Sequence, residues 1–336
     1  IPPSATDTIK HLPSRFSWMS VDDARAATLG IAPGTYGTRP VDQHRSNWCG
    51  ACYLYAVVFM ITDRWNIEIG RELTKTGERA QPFVELDAQA MLNDYDNLRS
   101  KTTDDETWNA CKGGSPMHVL MLLQRGDMGI VQAHPRGYAW TGFPCKRGAP
   151  STSKDLPSRV PVVFVNDGTS INTDVALRSG MRVQDSYVVP NNTEAVKREL
   201  MSRGSLVLGI DAECLIACDK FGFASTRPSG KRNHAVSVVG WVRARRGTWW
   251  VVRNSWGDHV PENMPSDTSC VSPGNNECDI ARRPWNSIPQ LPGFAYVSAR
   301  YIERTCIDAK NNKASPWYAC TLTHETEERE APWLQD

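Results

Sequence analysis

The most constraining feature of the sequence is the stretch 43–65, in which two cysteines precede a long apolar run. A polar segment ends in the pattern Cys49-Gly50-Ala51-Cys52-Tyr53, and the apolar residues 54–65 follow directly. These residues most simply form a buried helix, although a bare apolar run is also compatible with a strand. Cys52 then lies at the first turn, where unpaired backbone N–H groups and the helix dipole help a thiol to lose its proton. This placement predicts a nucleophilic thiolate.

A pair of cysteines spaced like Cys49 and Cys52 has two other common explanations. Half of a zinc site needs a second Cys/His pair at ligand spacing, and a redox pair needs a thioredoxin-like βαβ context. Neither pattern is evident in the sequence. The residues therefore favour a nucleophile, and they indicate neither a metal site nor a cofactor.

Length and charge exclude some classes of function. A chain of 336 residues, 40% of them hydrophobic, can bury a sizeable core in one large domain or two lobes. Lys and Arg number 38 against 37 Asp and Glu, so the net charge of +1 gives no reason to expect nucleic acid or an anionic membrane as partner. No apolar run reaches the length of a membrane span, and residues 1–15 do not resemble a signal peptide, which fits a mature form.

The chain contains ten cysteines, and their number and spacing bear on the compartment. With Cys52 free, nine remain, so at least one more thiol is unpaired or bonded to another chain. Cys270 with Cys278, and Cys306 with Cys320, close short loops in irregular sequence. Such loops favour disulfides and hence an oxidising compartment.

Secondary-structure patterns change along the chain. Residues 1–42 are mostly irregular, and helical patterns follow at 54–65, 84–92 and 117–123. From about residue 130, short Val, Ile and aromatic runs predict strands at 161–165, 205–210, 235–242, 248–253 and 294–302. One helix interrupts them at 194–202, with Asn192 or Thr193 as its cap. Helices thus dominate the first part of the chain, and antiparallel strands dominate the second. This order predicts an α+β protein of two lobes, with the active site in the cleft between them.

The strand region supplies partners for a thiolate, which needs an acid/base and a group to orient it. His234 precedes the strand 235–242, and Asn254 and Trp256 follow the strand 248–253. A lone histidine before a strand is usually structural. Its coincidence with a cysteine at a helix start and an amide at a strand end predicts a Cys/His/Asn site.

Together these motifs resemble the papain family of cysteine peptidases. They span roughly residues 12–305 and are Gln43, Cys-Gly-Ala-Cys at 49–52, Cys-Lys-Gly-Gly at 111–114, Asn-His-Ala at 233–235, and Asn-Ser-Trp-Gly at 254–257. The resemblance implies a papain-like two-lobe fold, with a helical left lobe at 1–130 and an antiparallel, β-barrel-like right lobe at 131–305. His234 lies 182 residues after Cys52, more than is typical of the family, which predicts an insertion near 148–184. A second insertion lies at 258–292, and 306–336 form a C-terminal extension.

By this resemblance Cys52 is the nucleophile, His234 the acid/base and Asn254 the residue that orients it. Gln43 and the backbone N–H of Cys52 would form the oxyanion hole. Trp256 would shield the hydrogen bond between His234 and Asn254 from water.

The resemblance also implies substrate contacts and a disulfide. Gly113 and Gly114 would pair with the substrate backbone, and Cys49 would bridge to Cys111. The compartment would be lysosomal, vacuolar or extracellular.

The link between Gln43 and Cys49 resembles the cathepsin X (cathepsin Z) branch of the family. That branch has a three-residue insertion beginning with histidine, and here five residues beginning with His44 separate the two motifs. In that branch the insertion blocks the primed side and its histidine holds the substrate's terminal carboxylate. For this chain the resemblance therefore implies a carboxypeptidase that releases one residue at a time. Such a charge-assisted contact is worth about 1.5–3 kcal/mol, or roughly ten- to a hundredfold in preference. Arg45 could supply the same charge, and Trp48 could wall the pocket.

Other interpretations remain open. The loop carrying His44 and Arg45 could simply face water, as charged residues mostly do. The protein could be an endopeptidase, or a papain-like scaffold with a structural or binding role, with the insertion 258–292 docking a partner. The intact set of catalytic residues argues against a loss of activity, whereas the large insertions favour a structural or binding role. We expect an enzyme, and by the resemblance of the His44 loop its substrates would be peptide or protein C-termini.

Overall fold

The computed structural model describes residues 11–44, 49–77, 84–100, 109–130, 181–212, 215, 232–244, 247–257, 293–305 and 315–324. The helices are α1 Asp23–Leu29, α2 Cys52–Lys75, α3 Ala88–Ser100, α4 Pro116–Arg125, α5 Thr193–Arg203 and α6 Ala299–Thr305, with a 3-10 turn at Ala110–Lys112. The strands are β1 Arg15–Ser17, β2 Met181–Val189, β3 Leu206–Ile210, β4 His234–Ala244, β5 Gly247–Arg253, β6 Phe294–Ser298 and β7 Trp317–His324. Several predictions lie outside the described residues: the strand 161–165, Trp48, the insertion 258–292, nearly all of 148–184, and the pair Cys270 and Cys278.

Helix α2 is the centre of the helical part. Its residues 53–67 are all buried, because 53–61 are apolar on every side of the helix. The buried polar side chains that follow are hydrogen-bonded, and they are Thr62, Asp63, Arg64 and Asn66. The helix packs with α3 and α4 in one hydrophobic core, and the predicted helical nature of 54–65 is confirmed.

The two other helices of this part differ from prediction mainly at their ends. Helix α3 begins at Ala88, not at residue 84, because the Asp87 carboxylate accepts a hydrogen bond from the Ala90 N–H and so caps the first turn. Helix α4 is confirmed, with Pro116 in its first turn and Gly126 in a left-handed conformation at its end. Helix α1 was not predicted.

The strands form a seven-stranded antiparallel sheet in the order β2-β7-β3-β4-β5-β6, and β1 pairs with β4. The predicted strands β3, β4 and β5 are confirmed, and so is α5 with Asn192 as its cap. The prediction of one strand over 294–302 was wrong at its end, since β6 stops at Ser298 and α6 begins at Ala299.

Strand β7 lies within the segment 306–336, which the sequence set apart as an extension. It nevertheless pairs with both β2 and β3 inside the sheet. Cys320 on this strand is a buried free thiol, so the expected Cys306–Cys320 disulfide was wrong. The domain division by residue number stays a prediction.

Two contacts position the site. Helix α2 packs against β4, and β4 pairs with β5 in a register that sets Ser237 opposite Arg253. The start of β4, the end of β5 and the start of α2 therefore meet at one end of the sheet. Among the described residues no helix has the length and apolar character needed to cross a membrane.

Candidate active site

Cys52 is the first residue of α2 and is half-buried. Ala51 at the cap has no side chain that could bond the first N–H groups of the helix. The loop before Cys52 is fixed twice to residue 111, by the Cys49–Cys111 disulfide and by a 2.7 Å hydrogen bond from the Gly50 N–H to the Cys111 carbonyl. The disulfide that the family resemblance implied is confirmed.

His234 and Asn254 are joined by a hydrogen bond of 2.8 Å between Nε2 and Oδ1. The Ser255 N–H donates to the same Asn254 atom at 2.9 Å, which identifies that atom as the oxygen. His234 Nε2 must then carry the hydrogen, and Nδ1 is left as the basic nitrogen. The Trp256 ring stacks on the imidazole, with centroids 4.6 Å apart.

Burial controls the ionisation of the two candidate reacting groups, Cys52 and His234. It lowers the pKa of His234 to about 4, while the hydrogen bond to Asn254 opposes the shift. Burial also raises the pKa of the Cys52 thiol, and backbone N–H groups, first that of Ala235, oppose this shift. Because Ala235 follows His234 directly, the thiol lies at the start of β4. Each group alone stays neutral at neutral pH, but a proton moved from one to the other creates two adjacent opposite charges.

Gln43 is buried and held in one orientation. Its Nε2 donates to the Cys49 carbonyl at 2.7 Å, and its Oε1 accepts from the Ser255 hydroxyl at 2.6 Å. Its backbone N–H also donates to the Ser255 carbonyl. The amide thus links the loop before Cys52 to the strand end that carries Asn254.

His44 lies beside this amide and is half-buried. Its Nδ1 accepts a 3.3 Å hydrogen bond from the Cys49 N–H, and its own N–H donates to Asp42 Oδ1 at 2.8 Å. Burial lowers the pKa of His44, and the Asp42 carboxylate opposes this shift. A charge on His44 in turn lowers the pKa of His234. The neighbours Arg45 and Trp48 lie outside the described residues.

Gly113 and Gly114 lie in the loop that follows the disulfide-bonded Cys111. Gly113 has φ +106°, a conformation that favours glycine, and a Cβ at Gly114 would lie 2.6 Å from the Tyr53 ring. The Tyr53 hydroxyl donates to the Ala110 carbonyl at 2.9 Å. The glycine loop therefore rests directly on the residue after Cys52.

The sequence did not single out Ser255 and Asp42, which hold the site residues in place. Ser255 contacts both Gln43 and Asn254, and the only signal for it was its position inside the Asn-Ser-Trp-Gly motif. Asp42 precedes Gln43 and bonds His44. Among the described residues no cluster of three or more His, Cys, Asp or Glu could hold a metal ion.

Comparison with known families identifies the family of the chain. The family model described as papain family cysteine protease matches residues 36–287, about three quarters of the chain. The chain belongs to the papain family of cysteine proteases. The papain-like α+β, two-lobe fold is therefore confirmed, with helices and a large antiparallel sheet as its parts.

Relatives within the family are distant. The chain is 27% identical over 240 residues to a gut-specific cysteine proteinase of Caenorhabditis elegans, a match that covers 69% of this chain and 64% of that protein. It is 25% identical over 305 residues to cathepsin O of Mus musculus, covering 83% and 82%. The chain thus spans less than two thirds of the length of the first of these relatives.

Among solved structures, the chain is similar to that of the bromelain protease from Ananas comosus in complex with the E64 inhibitor. The TM-score is 0.49 at 15% sequence identity, and the match covers 92% of this chain and 99% of that chain.

Proposed function

We propose that this protein is a cysteine peptidase in which Cys52 attacks the scissile carbonyl. The observation that carries the proposal is the fixed tautomer of His234. Asn254 takes the Nε2 hydrogen and leaves Nδ1 as the basic nitrogen, and the backbone of Ala235, the next residue after His234, bonds the Cys52 thiol. A nucleophile, a base and an orienting group are the parts that covalent acyl transfer requires.

The reaction then follows from these positions. Cys52 gives its proton to His234 Nδ1, and the thiolate adds to the peptide carbonyl. Gln43 Nε2 and the Cys52 N–H hydrogen-bond the resulting oxyanion. His234 returns the proton to the leaving amine, which departs and leaves a thioester. Water, deprotonated by His234, then hydrolyses the thioester and restores the thiol.

The finer proposal is a carboxypeptidase in which His44 binds the terminal carboxylate of the substrate. Because His44 Nδ1 accepts the Cys49 N–H, a neutral His44 carries its hydrogen on Nε2 and can donate it to a carboxylate. Protonation of His44 would add a positive charge to this contact. Burial lowers the pKa of His44, so we expect the preference for free C-termini to be strongest at mildly acid pH.

The test compares two peptides of the same sequence, one with a free C-terminus and one amidated, incubated with reduced protein at mildly acid pH and analysed by mass spectrometry. A carboxypeptidase removes single residues from the free peptide only. Internal cuts in both peptides would instead identify an endopeptidase, and cleavage of neither would favour a structural or binding role.

Two variants test His44 itself. We expect H44A to lose roughly ten- to a hundredfold in preference for the free peptide, the value of one charge-assisted contact. H44Q keeps an amide donor without a charge and serves as the matched control, so it should retain part of the preference. Unchanged preference in H44A would exclude His44 as the carboxylate ligand.

The cellular setting is proposed with the activity. The Cys49–Cys111 disulfide indicates an oxidising compartment. Within that class we propose a lysosomal, vacuolar or secreted location, with peptide or protein C-termini as substrates. Docking of a partner on the insertion 258–292 also remains a proposal.

A further inference from the structure

We propose that the buried ion pair of Asp63 and Arg253 is a positioning device for catalysis, which keeps the helix of Cys52 aligned with the strands of His234 and Asn254. The inference rests on the proposed function, because it concerns the same reacting groups. Neither residue touches the reacting atoms, so both act through the elements that carry them.

The geometry of the pair is specific. Arg253 Nη2 lies 2.6 Å from Asp63 Oδ2, and Nη1 lies 3.1 Å from Oδ1, so the two planar groups face each other edge to edge. Both side chains are 0% exposed. The guanidinium also lies 4.3 Å over the ring of Phe59, which belongs to α2 as well.

The pair joins all four segments that supply the site. Asp63 belongs to α2, which begins at Cys52, and Arg253 directly precedes Asn254. Arg253 Nη2 donates at 2.9 Å to Ser237, which lies on the strand that begins at His234.

The fourth segment leads to Gln43. Arg253 Nη1 donates to the Thr38 carbonyl at 2.7 Å, and the Thr38 N–H donates to Asp63 Oδ1 at 2.9 Å. Thr38 lies five residues before Gln43. One buried cluster therefore contacts every segment that carries a proposed catalytic residue.

Stability alone does not require such a pair, because packed apolar residues of the same volume often stabilise a core equally well. Two hydrogen bonds between planar groups also constrain their relative orientation, so the pair fixes the angle between the helix and the strand. Asp63 lies eleven residues along α2 from Cys52, a lever of about 16 Å. A tilt of about 2° at the pair would move Cys52 by about 0.6 Å, and reaction rates are sensitive to displacements of roughly this size.

The next residue of α2 supplies a matched control. Arg64 pairs with Glu199 of α5 at 3.1 Å, and both side chains are 2% exposed. Arg64 also donates to the carbonyls of Ser205 and Cys320. This second pair is as buried as the first and lies on the same helix, but its hydrogen bonds do not reach the strand ends of the site.

The experiment compares D63N with E199Q. Each change replaces a buried carboxylate by an amide of the same shape. D63N leaves Arg253 without its counterion, and E199Q leaves both Arg64 and Arg203 without theirs. We measure kcat, KM, the midpoint of thermal unfolding and the rate of Cys52 alkylation by iodoacetamide. D63N should lower kcat about ten- to a hundredfold with little change in KM and should slow alkylation. E199Q should lower the unfolding midpoint while kcat and alkylation stay near the native values.

A further variant, R253K, separates a loss of kcat from a loss of stability. It keeps the positive charge, but one ammonium group cannot bridge both carboxylate oxygens. R253K should therefore reproduce the loss in kcat with a smaller loss in stability. Equal losses of kcat in D63N and E199Q, or native kcat in R253K, would overturn the inference.

The two proposals can fail separately. If the native protein cleaves no peptide, the proposed function fails, and alkylation still tests the positioning. Slower alkylation in D63N but not in E199Q would then support the inference, and equal rates in all variants would refute it.

Discussion

Asn254 accepts two hydrogen bonds through one oxygen, from His234 Nε2 at 2.8 Å and from the backbone N–H of Ser255 at 2.9 Å. The backbone bond fixes the amide, and the amide fixes the imidazole tautomer. Removal of the amide should therefore disorient His234 without removing the base. We expect N254A to lower kcat about ten- to a hundredfold, the value of a hydrogen bond to a charged group. Steady-state kinetics on a cleavable peptide measures this, and unchanged kcat in a folded N254A protein would show that the orienting bond is dispensable.

The ionisation of His234 provides a second prediction, made for the variant C52S, in which no thiolate can pair with the imidazole. Burial lowers the pKa of His234 from its ordinary 6.5 to about 4. The unfolded chain then binds a proton more readily than the folded protein between these values. The resulting stability is fully present above about pH 6.5 and is lost as the pH falls through 4, by about 3 kcal/mol.

Imidazole chemical shifts and unfolding curves at pH 7 and pH 4 measure these quantities. C52S/H234Q is the control, and it should lack this part of the pH dependence. A histidine that titrates at 6.5 or higher in C52S would show that burial does not control the site. In the native protein, pairing with the thiolate should raise the pKa of His234 above its value in C52S.

The contact of Gly114 with Tyr53 leads to a third prediction. A Cβ at position 114 would lie 2.6 Å from the ring, so the loop or the ring must move in G114A. We expect a higher KM, because this loop is proposed to pair with the substrate backbone, and a loss of about 1–3 kcal/mol in unfolding free energy. The double variant G114A/Y53L removes the clash and should recover part of the affinity. If G114A binds peptide like the native protein, the loop does not contact substrate.

The disulfide between Cys49 and Cys111 leads to a fourth prediction. The bond closes 62 residues, and for a loop of this length the entropy of the unfolded chain corresponds to about 4 kcal/mol. C49S/C111S should lose roughly this amount in unfolding free energy, as measured by chemical denaturation. C320S, which removes a buried free thiol, is the matched control and should lose much less. Native-like stability of C49S/C111S would show that the loop is held by its other contacts.

Much of the site was predictable from short motifs because its residue types are chemically special. Cys52, His234 and Asn254 stand at element ends that the apolar patterns locate, and the structure brings His234 and Asn254 into contact. The Asp63–Arg253 pair was not predictable, since 190 residues separate its members and only the fold brings them together.

The missed elements have local causes. Strand β2 lacks a regular alternation of buried and exposed residues because its pairing with β7 shifts between Val183 and Asp185. Helix α1 has clear end signals, an Asp22 cap and Gly30 in a left-handed conformation, but the prolines and glycines around it outweighed them. The apolar pattern of 294–302 fits a strand or a helix equally well over so short a length.

The most direct test of the account is reaction of the folded protein with an epoxysuccinyl reagent at mildly acid pH, followed by intact-mass analysis and peptide mapping. We predict a single adduct on Cys52 and none on the buried Cys320. In H234Q the labelling rate should fall by a factor of at least about a hundred. No adduct on Cys52, or equally fast labelling in H234Q, would contradict the central claim that Cys52 is a nucleophile activated by His234.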